Sequence, residues 1–225
     1  HFGPGGLFED GERLLVAAGV AGVDLAGGED VGLAAEAADA FDAGVVLTLR
    51  TGGRQILRVM PWSGTAVDVT DDHPGGLARL GRNEEWAATS VTVEVESFLV
   101  PEITYDLPFL ADGFVADRVE RHRREIVGVD HTRYVAERRL VPHDGVEIPV
   151  LLLRHRDVAL DGTAPCVLYS YGSYEACLDS DWGYDWWRIL PSMLDRGVVY
   201  AIGHPRGGGE MGRRWWEDGH LEHKH

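Results

Sequence analysis

Residues 164–171, APCVLYSY, and residues 198–202, VVYAI, are two nearly continuous apolar runs, and their reading decides the fold of the C-terminal half. Apolar runs of this length read as strands buried on both faces. Between them, residues 185–195 place Trp186, Ile189, Leu190, Met193 and Leu194 on one helical face, with Pro191 as a kink and Gly197 as a stop. Strand, helix and strand make a βαβ crossover, which implies parallel pairing inside a sheet covered on both faces. The C-terminal half is therefore expected to be an α/β domain.

Working outward, residues 134–141 and 146–154 are strand-like and flank Pro142, His143, Asp144 and Gly145, where Asp-Gly supplies a hairpin turn. Further upstream the rhythm differs. Short apolar runs at 14–20, 45–50, 55–60, 66–69, 90–97 and 103–107 are separated by glycine-rich or acidic turns. Val91, Val93 and Val95 alternate with Thr92, Glu94 and Glu96, giving one apolar and one solvated face. Thr51, Gly52 and Gly53 form a turn, since glycine tolerates positive φ. Strands at this spacing fit a sandwich, a barrel or propeller blades. Residues 34–41, rich in alanine, are helical by propensity. The boundary between the halves falls between Pro101 and Val127.

The 225 residues carry a formal net charge of -16, which repels phosphate backbones and anionic lipid heads. Nucleic-acid or membrane-surface binding would need a local basic patch. Arg118, Arg121, Arg123 and Arg124 are the best candidate, but Glu120 and Glu125 interleave them, and a solvated interdomain segment is the simpler reading. With 44% hydrophobic residues and seven tryptophans, the chain has enough apolar surface for a core. Cys166 and Cys177 imply no disulfide framework, and Cys166 reads as a small buried hydrophobe. No run approaches the roughly 18 apolar residues of a membrane span. Residues 1–9 lack a signal-peptide pattern, so a cytoplasmic protein is expected. The chain starts with histidine, so residue 1 is not expected to be a natural start.

Four local patterns bear on chemistry. Gly207, Gly209 and Gly212 satisfy G-x-G-x-x-G after a strand, the setting of a dinucleotide fingerprint, although Glu210 sits inside the loop. His220, His223 and His225 match no zinc spacing, and neither a metal nor a cofactor is expected. No G-x-S-x-G nucleophile elbow occurs, and Ser173 lacks the elbow's second glycine. His204, at the end of the second strand, would be a base only if a serine faced it.

Residues 165–174 read PCVLYSYGSY, 194–199 read LDRGVV, and 201–219 read AIGHPRGGGEMGRRWWEDG. Upstream, 134–149 read YVAERRLVPHDGVEIP and 161–165 read DGTAP. In this order the segments resemble oligopeptidase B enzymes of the prolyl oligopeptidase family of serine peptidases. Residues 40–117 resemble, more weakly, the end of that family's β-propeller. The resemblance implies a mixed fold: the C-terminal blades of a β-propeller over 1–117, then the first part of an α/β-hydrolase domain over 118–225. A propeller of this kind admits peptides and excludes folded proteins.

The family's nucleophile, acid and base lie C-terminal to the matched segment. The chain is thus expected to be an inactive fragment, completed by the missing hydrolase segment and belonging to an enzyme that cleaves short basic peptides after Arg or Lys. By the resemblance, Tyr171 stabilises the oxyanion. Asp179 and Asp181, with Tyr174, bind substrate, receiving the basic residue before the scissile one. An i, i+2 spacing in extended chain can point both carboxylates into one cleft. Ser170, Glu175 and Pro191 depart from the family pattern. Glu175 either adds a third carboxylate or blocks the loop. Two other readings stand beside the peptidase: a non-enzymatic propeller-like binding module with a degenerate hydrolase segment, and a nucleotide-binding oxidoreductase.

Overall fold

The computed structural model describes residues 33–63, 65–70, 76–110, 117–182 and 192–223. Three four-stranded sheets hold nearly half of them. The first is an antiparallel meander of β1 (Leu33–Phe41), β2 (Gly44–Thr51), β3 (Arg54–Pro61) and β4 (Val67–Val69). Gly52 and Gly53, at φ 52° and 76°, make the β2–β3 turn. These angles suit the right-handed twist of a hairpin and are costly for residues with a Cβ.

Residues 34–41 are strand, not helix. Alanine's propensity, a few tenths of a kcal/mol per residue, is overridden by pairing along the whole of β2. The register shifts between Ala35 and Ala37, so Glu36 is the extra residue of a bulge. Its carboxylate accepts from Arg50 Nε at 2.6 Å and from Gln55 Nε2 at 2.8 Å. The bulge thus places a charge at the sheet edge, with consequences for the site below.

The second meander contains β5 (Leu77–Leu80), β6 (Ser90–Glu96), β7 (Ile103–Pro108) and β8 (Val119–Arg123). β5 and β8 carry little apolar alternation. β8 is exposed along its length, and its arginines pair with acids: Arg121 with Asp106 at 2.6 Å and Arg123 with Glu120 at 2.6 Å. Two of the four arginines of the basic cluster are therefore neutralised on this strand, while Arg118 donates to the Thr70 carbonyl at 3.2 Å. Because β8 pairs with β7, the second sheet runs past the expected division at 117.

The two meanders pack face to face. Phe41, Val46, Leu57, Val59 and Val69 of the first meet Ala78, Val91, Val93, Val95 and Leu107 of the second. Each of these side chains larger than alanine contributes about 1.5–3 kcal/mol on burial. The opposite face of the first sheet buries Val45, Leu47, Leu49 and Ile56 as a separate cluster.

The third sheet has the order β11-β12-β10-β9. β9 (Tyr134–His143) and β10 (Val146–His155) form the expected hairpin, turned by Asp144 and Gly145 at φ 49° and 77°. β11 (Cys166–Ser170) and β12 (Val199–Gly203) are parallel, as the crossover pattern predicts. Of the expected helix at 185–195 only residues 192–195 are described: 192–194 are helical and Asp195 is in a turn. The remainder lies outside the described residues, as does the expected strand at 14–20.

Central β12 is wholly buried, whereas β11 is exposed along its length. Cys166 is thus exposed, contrary to the buried position read from its apolar run. Among the described residues β11 sits at the edge of the sheet and pairs with β12 alone, which leaves its apolar side chains uncovered. The core beneath β10 and β12 joins Leu151, Leu153, Tyr200 and Ile202 to Phe98, Tyr134 and Leu194. Among the described residues the protein is mainly β-sheet with few helices, α1 (Arg213–Glu217) following β12, and no helix is long and apolar enough to cross a membrane.

Candidate active site and its acidic loop

Two loops leave the carboxyl ends of the parallel strands: residues 171–181 after β11 and residues 204–212 after β12. Carboxyl ends of parallel strands are where α/β sheets gather ligand-binding groups. Tyr171 is the first residue after β11, and its ring lies 6.4 Å from that of Tyr174. Both are outward-facing, Tyr171 at 49% and Tyr174 at 86% exposure. Gly172, Tyr174 and Glu175 have φ of 60°, 59° and 56°. Two consecutive non-glycine residues in the left-handed region cost energy, which packing from the second loop offsets.

That packing comes from the glycines. A Cβ on Gly207 would collide with the Gly172 carbonyl, and one on Gly209 would crowd the Glu175 carbonyl and Cys177. The amides are spent internally: Gly207 N–H donates to Trp215 O at 2.9 Å and Gly209 N–H to Ala176 O at 3.3 Å. The loop therefore fills its own cradle and offers no pyrophosphate site, which overturns the dinucleotide reading. α1, which follows, spans five residues.

Glu210, an obstacle in that reading, is the anchor of the loop pair. It is buried, and its Oε1 accepts from the Leu178 N–H at 3.1 Å and lies 3.2 Å from His204 Nδ1. His204 is buried too, with its carbonyl accepting from Trp215 Nε1 at 3.1 Å. It is an internal tie, not a base facing a cleft. Glu175 turns away and pairs with Arg213 at 2.6 Å, so it joins no acidic subsite. His220 stacks on Trp216 at 4.2 Å, and among the described residues no cluster of acidic, histidine or cysteine side chains is placed to hold a metal.

Asp179 and Asp181 line one cavity of about 240 Å³, walled by Phe98, Tyr169, Leu178 and Arg79. Each carboxylate already meets an arginine from a different meander. Asp179 takes a two-pronged contact from Arg50 at 2.8 and 3.2 Å, and Arg50 is only 3% exposed. Burial lowers the pKa of this guanidinium, but the bonds and charges of Asp179 and Glu36 more than offset that, and Arg50 is held protonated above its ordinary range.

Among the described residues Asp181 receives one contact, at 3.4 Å from Arg79, whose stronger partner is Glu96 at 2.6 Å. Glu96 also accepts from the Trp182 N–H at 2.9 Å. Burial pushes the Glu96 carboxyl above the usual carboxylate range, against the opposing pull of that N–H and of Arg79.

No family model matches the chain. Dipeptidyl aminopeptidase BI from Pseudoxanthomonas mexicana is 36% identical over 191 residues, 84% of this chain and 25% of that protein. Protease 2 from Moraxella lacunata is 28% identical over 166 residues, 72% of this chain and 22% of that protein. Among solved structures, oligopeptidase B from Trypanosoma brucei with covalently bound antipain superposes with a TM-score of 0.72 at 28% identity, over 85% of this chain and 27% of that one. The chain belongs to the prolyl oligopeptidase family. Members of this family are serine peptidases, and the family resemblance read from residues 134–219 agrees with these relatives. The chain spans about a quarter of the length of the curated relatives it matches.

The resemblance pointed to Tyr171, Tyr174, Asp179 and Asp181, and the fold brings all four into one loop. Sequence reasoning missed Arg50, Glu36, Arg79 and Glu96. Arg50 lies 129 positions from Asp179, a separation at which no local pattern signals contact. A lone arginine closing an apolar strand was the one available hint.

Proposed function

We propose that these residues supply the oxyanion tyrosine and the cation-binding subsite of a serine oligopeptidase that cleaves short peptides after Arg or Lys. The observation that carries this reading is the convergence of Asp179 and Asp181 on one cavity, in the same loop that presents exposed Tyr171. A serine nucleophile from outside these 225 residues attacks the scissile carbonyl carbon. The carbonyl oxygen takes up negative charge, and Tyr171 Oη–H donates to it. The C–N bond then breaks, the amine leaves with a proton, and water releases the acyl group.

Two four-stranded meanders packed face to face support assigning the first part of the chain to propeller blades. In this reading the hydrolase part begins after β8. The test is hydrolysis of arginyl amides by the full protein that carries these residues. Tyr171→Phe is expected to lower kcat by about 100-fold with little change in KM, the usual cost of one oxyanion donor. An unchanged kcat removes that role, and failure to cleave arginyl amides removes the specificity.

The name of the Pseudoxanthomonas relative favours a second reading, removal of dipeptides from a free amino terminus. A terminal ammonium would then meet the same carboxylates. Cleavage of amino-blocked peptides as fast as free ones would exclude it.

A further inference from the structure

Asp179 and Asp181 share a cavity but are not equivalent, and the difference lies in the arginines that hold them. Arg50 is almost wholly buried, grips Asp179 with two nitrogens and is braced from behind by Glu36. Taking Asp179 away from it would strand a buried cation with a single partner. Asp179 is therefore committed to joining the loop to the first meander.

Asp181 is held differently. Among the described residues its one contact, at 3.4 Å, is with Arg79, and both side chains are more than a third exposed, at 37% and 39%. A pair of this kind opens at little cost in water. Arg79 also loses nothing essential when it opens, because its 2.6 Å bond to Glu96 remains and keeps that buried carboxylate paired.

We propose that Arg79 is a specificity-determining residue, an internal guanidinium that occupies Asp181 until a substrate cation displaces it. This inference rests on the reading of the cavity as a cation subsite. The resident guanidinium itself demonstrates that the rim of the cavity accepts that group. An incoming arginine exchanges with Arg79 at Asp181, extends its methylenes along Phe98 and Leu178, and leaves Arg79 on Glu96. The competing charge weakens cation binding, so the subsite takes one basic residue at Asp181 and none at Asp179.

The test compares binding of acetyl-Arg-Ala-amide with its neutral citrulline counterpart, by calorimetry on the full protein carrying these residues. Arg79→Lys retains a cation for Glu96, but its single nitrogen cannot also reach Asp181. The expected result is about two- to fivefold tighter binding of the arginine peptide, the factor an exposed ion pair is worth, with the citrulline peptide unchanged. Arg79→Gln should do the same if it folds, and Asp181→Asn should erase the preference for arginine. If the unaltered protein prefers arginine and Arg79→Lys leaves that preference where it was, the gating role is overturned. If the unaltered protein does not distinguish arginine from citrulline, the cation subsite itself falls.

Discussion

Replacing Asp179 by asparagine removes one anion from a buried guanidinium and leaves the shape of the loop intact. Arg50 is 3% exposed, so it cannot recover the loss from water, and among the described residues Glu36 alone remains to balance it. Removing one partner of a fully buried pair costs about 3–5 kcal/mol. Asp179 itself is 25% exposed and asparagine still accepts one hydrogen bond, which brings the expected cost to about 2–3 kcal/mol. For a chain of this size that lowers Tm by roughly 5–10 °C. Asp181→Asn, which gives up one exposed contact at 3.4 Å, is expected to cost less than about 1 kcal/mol. Thermal unfolding followed by tryptophan fluorescence separates the two variants. The double variant Arg50→Met with Asp179→Asn should recover part of the loss, because the one charge it leaves unpaired, Glu36, is 31% exposed and keeps its bond from Gln55. Equal melting temperatures for the two asparagine variants would refute the argument that the acids play unequal parts.

Two further outcomes follow from burial and charge. The Cys177 thiol is pushed up to about 12 by burial, so at pH 8 iodoacetamide should label exposed Cys166 well before Cys177, as read by peptide mass spectrometry. The Glu137 carboxyl is held below its usual range by Arg139 and Arg154, so the stability it contributes is present above the ordinary glutamate pKa and is lost as pH falls through the lowered one. The melting temperatures of the unaltered protein and Glu137→Gln should therefore differ at pH 7 and converge in acid; a constant difference would contradict the assignment.

Much of the fold was legible because its signals are local. The alternation of Val91, Val93 and Val95, the Gly52–Gly53 and Asp144–Gly145 turns, and the paired apolar runs at 164–171 and 198–202 each state their own structure. Residues 34–41 were misread because alanine reports helix propensity while the pairing partner, β2, decides the outcome. β5 and β8 were missed because LARL and VERHR carry no apolar alternation, their strand form coming from neighbours. The loop bearing Tyr171, Asp179 and Asp181 was recognised by resemblance. Its arginine partners were not, since ion pairs across 102 and 129 positions leave no periodic trace. Glu210 was seen only as a defect in a glycine motif, because the motif says nothing about which way a side chain points.

The bulge at Glu36 has a meaning in time as well as in space. Arg50 and Glu36 are 14 residues apart and emerge from the ribosome almost together, whereas Asp179 follows Arg50 by 129 residues. At roughly 5–20 residues per second that is a wait of about 6–26 s. A first meander that closes during synthesis does so around a cation whose Asp179 counter-charge has not yet been made. Glu36, turned towards Arg50 by one extra residue in β1, is the interim anion that lets the sheet close early.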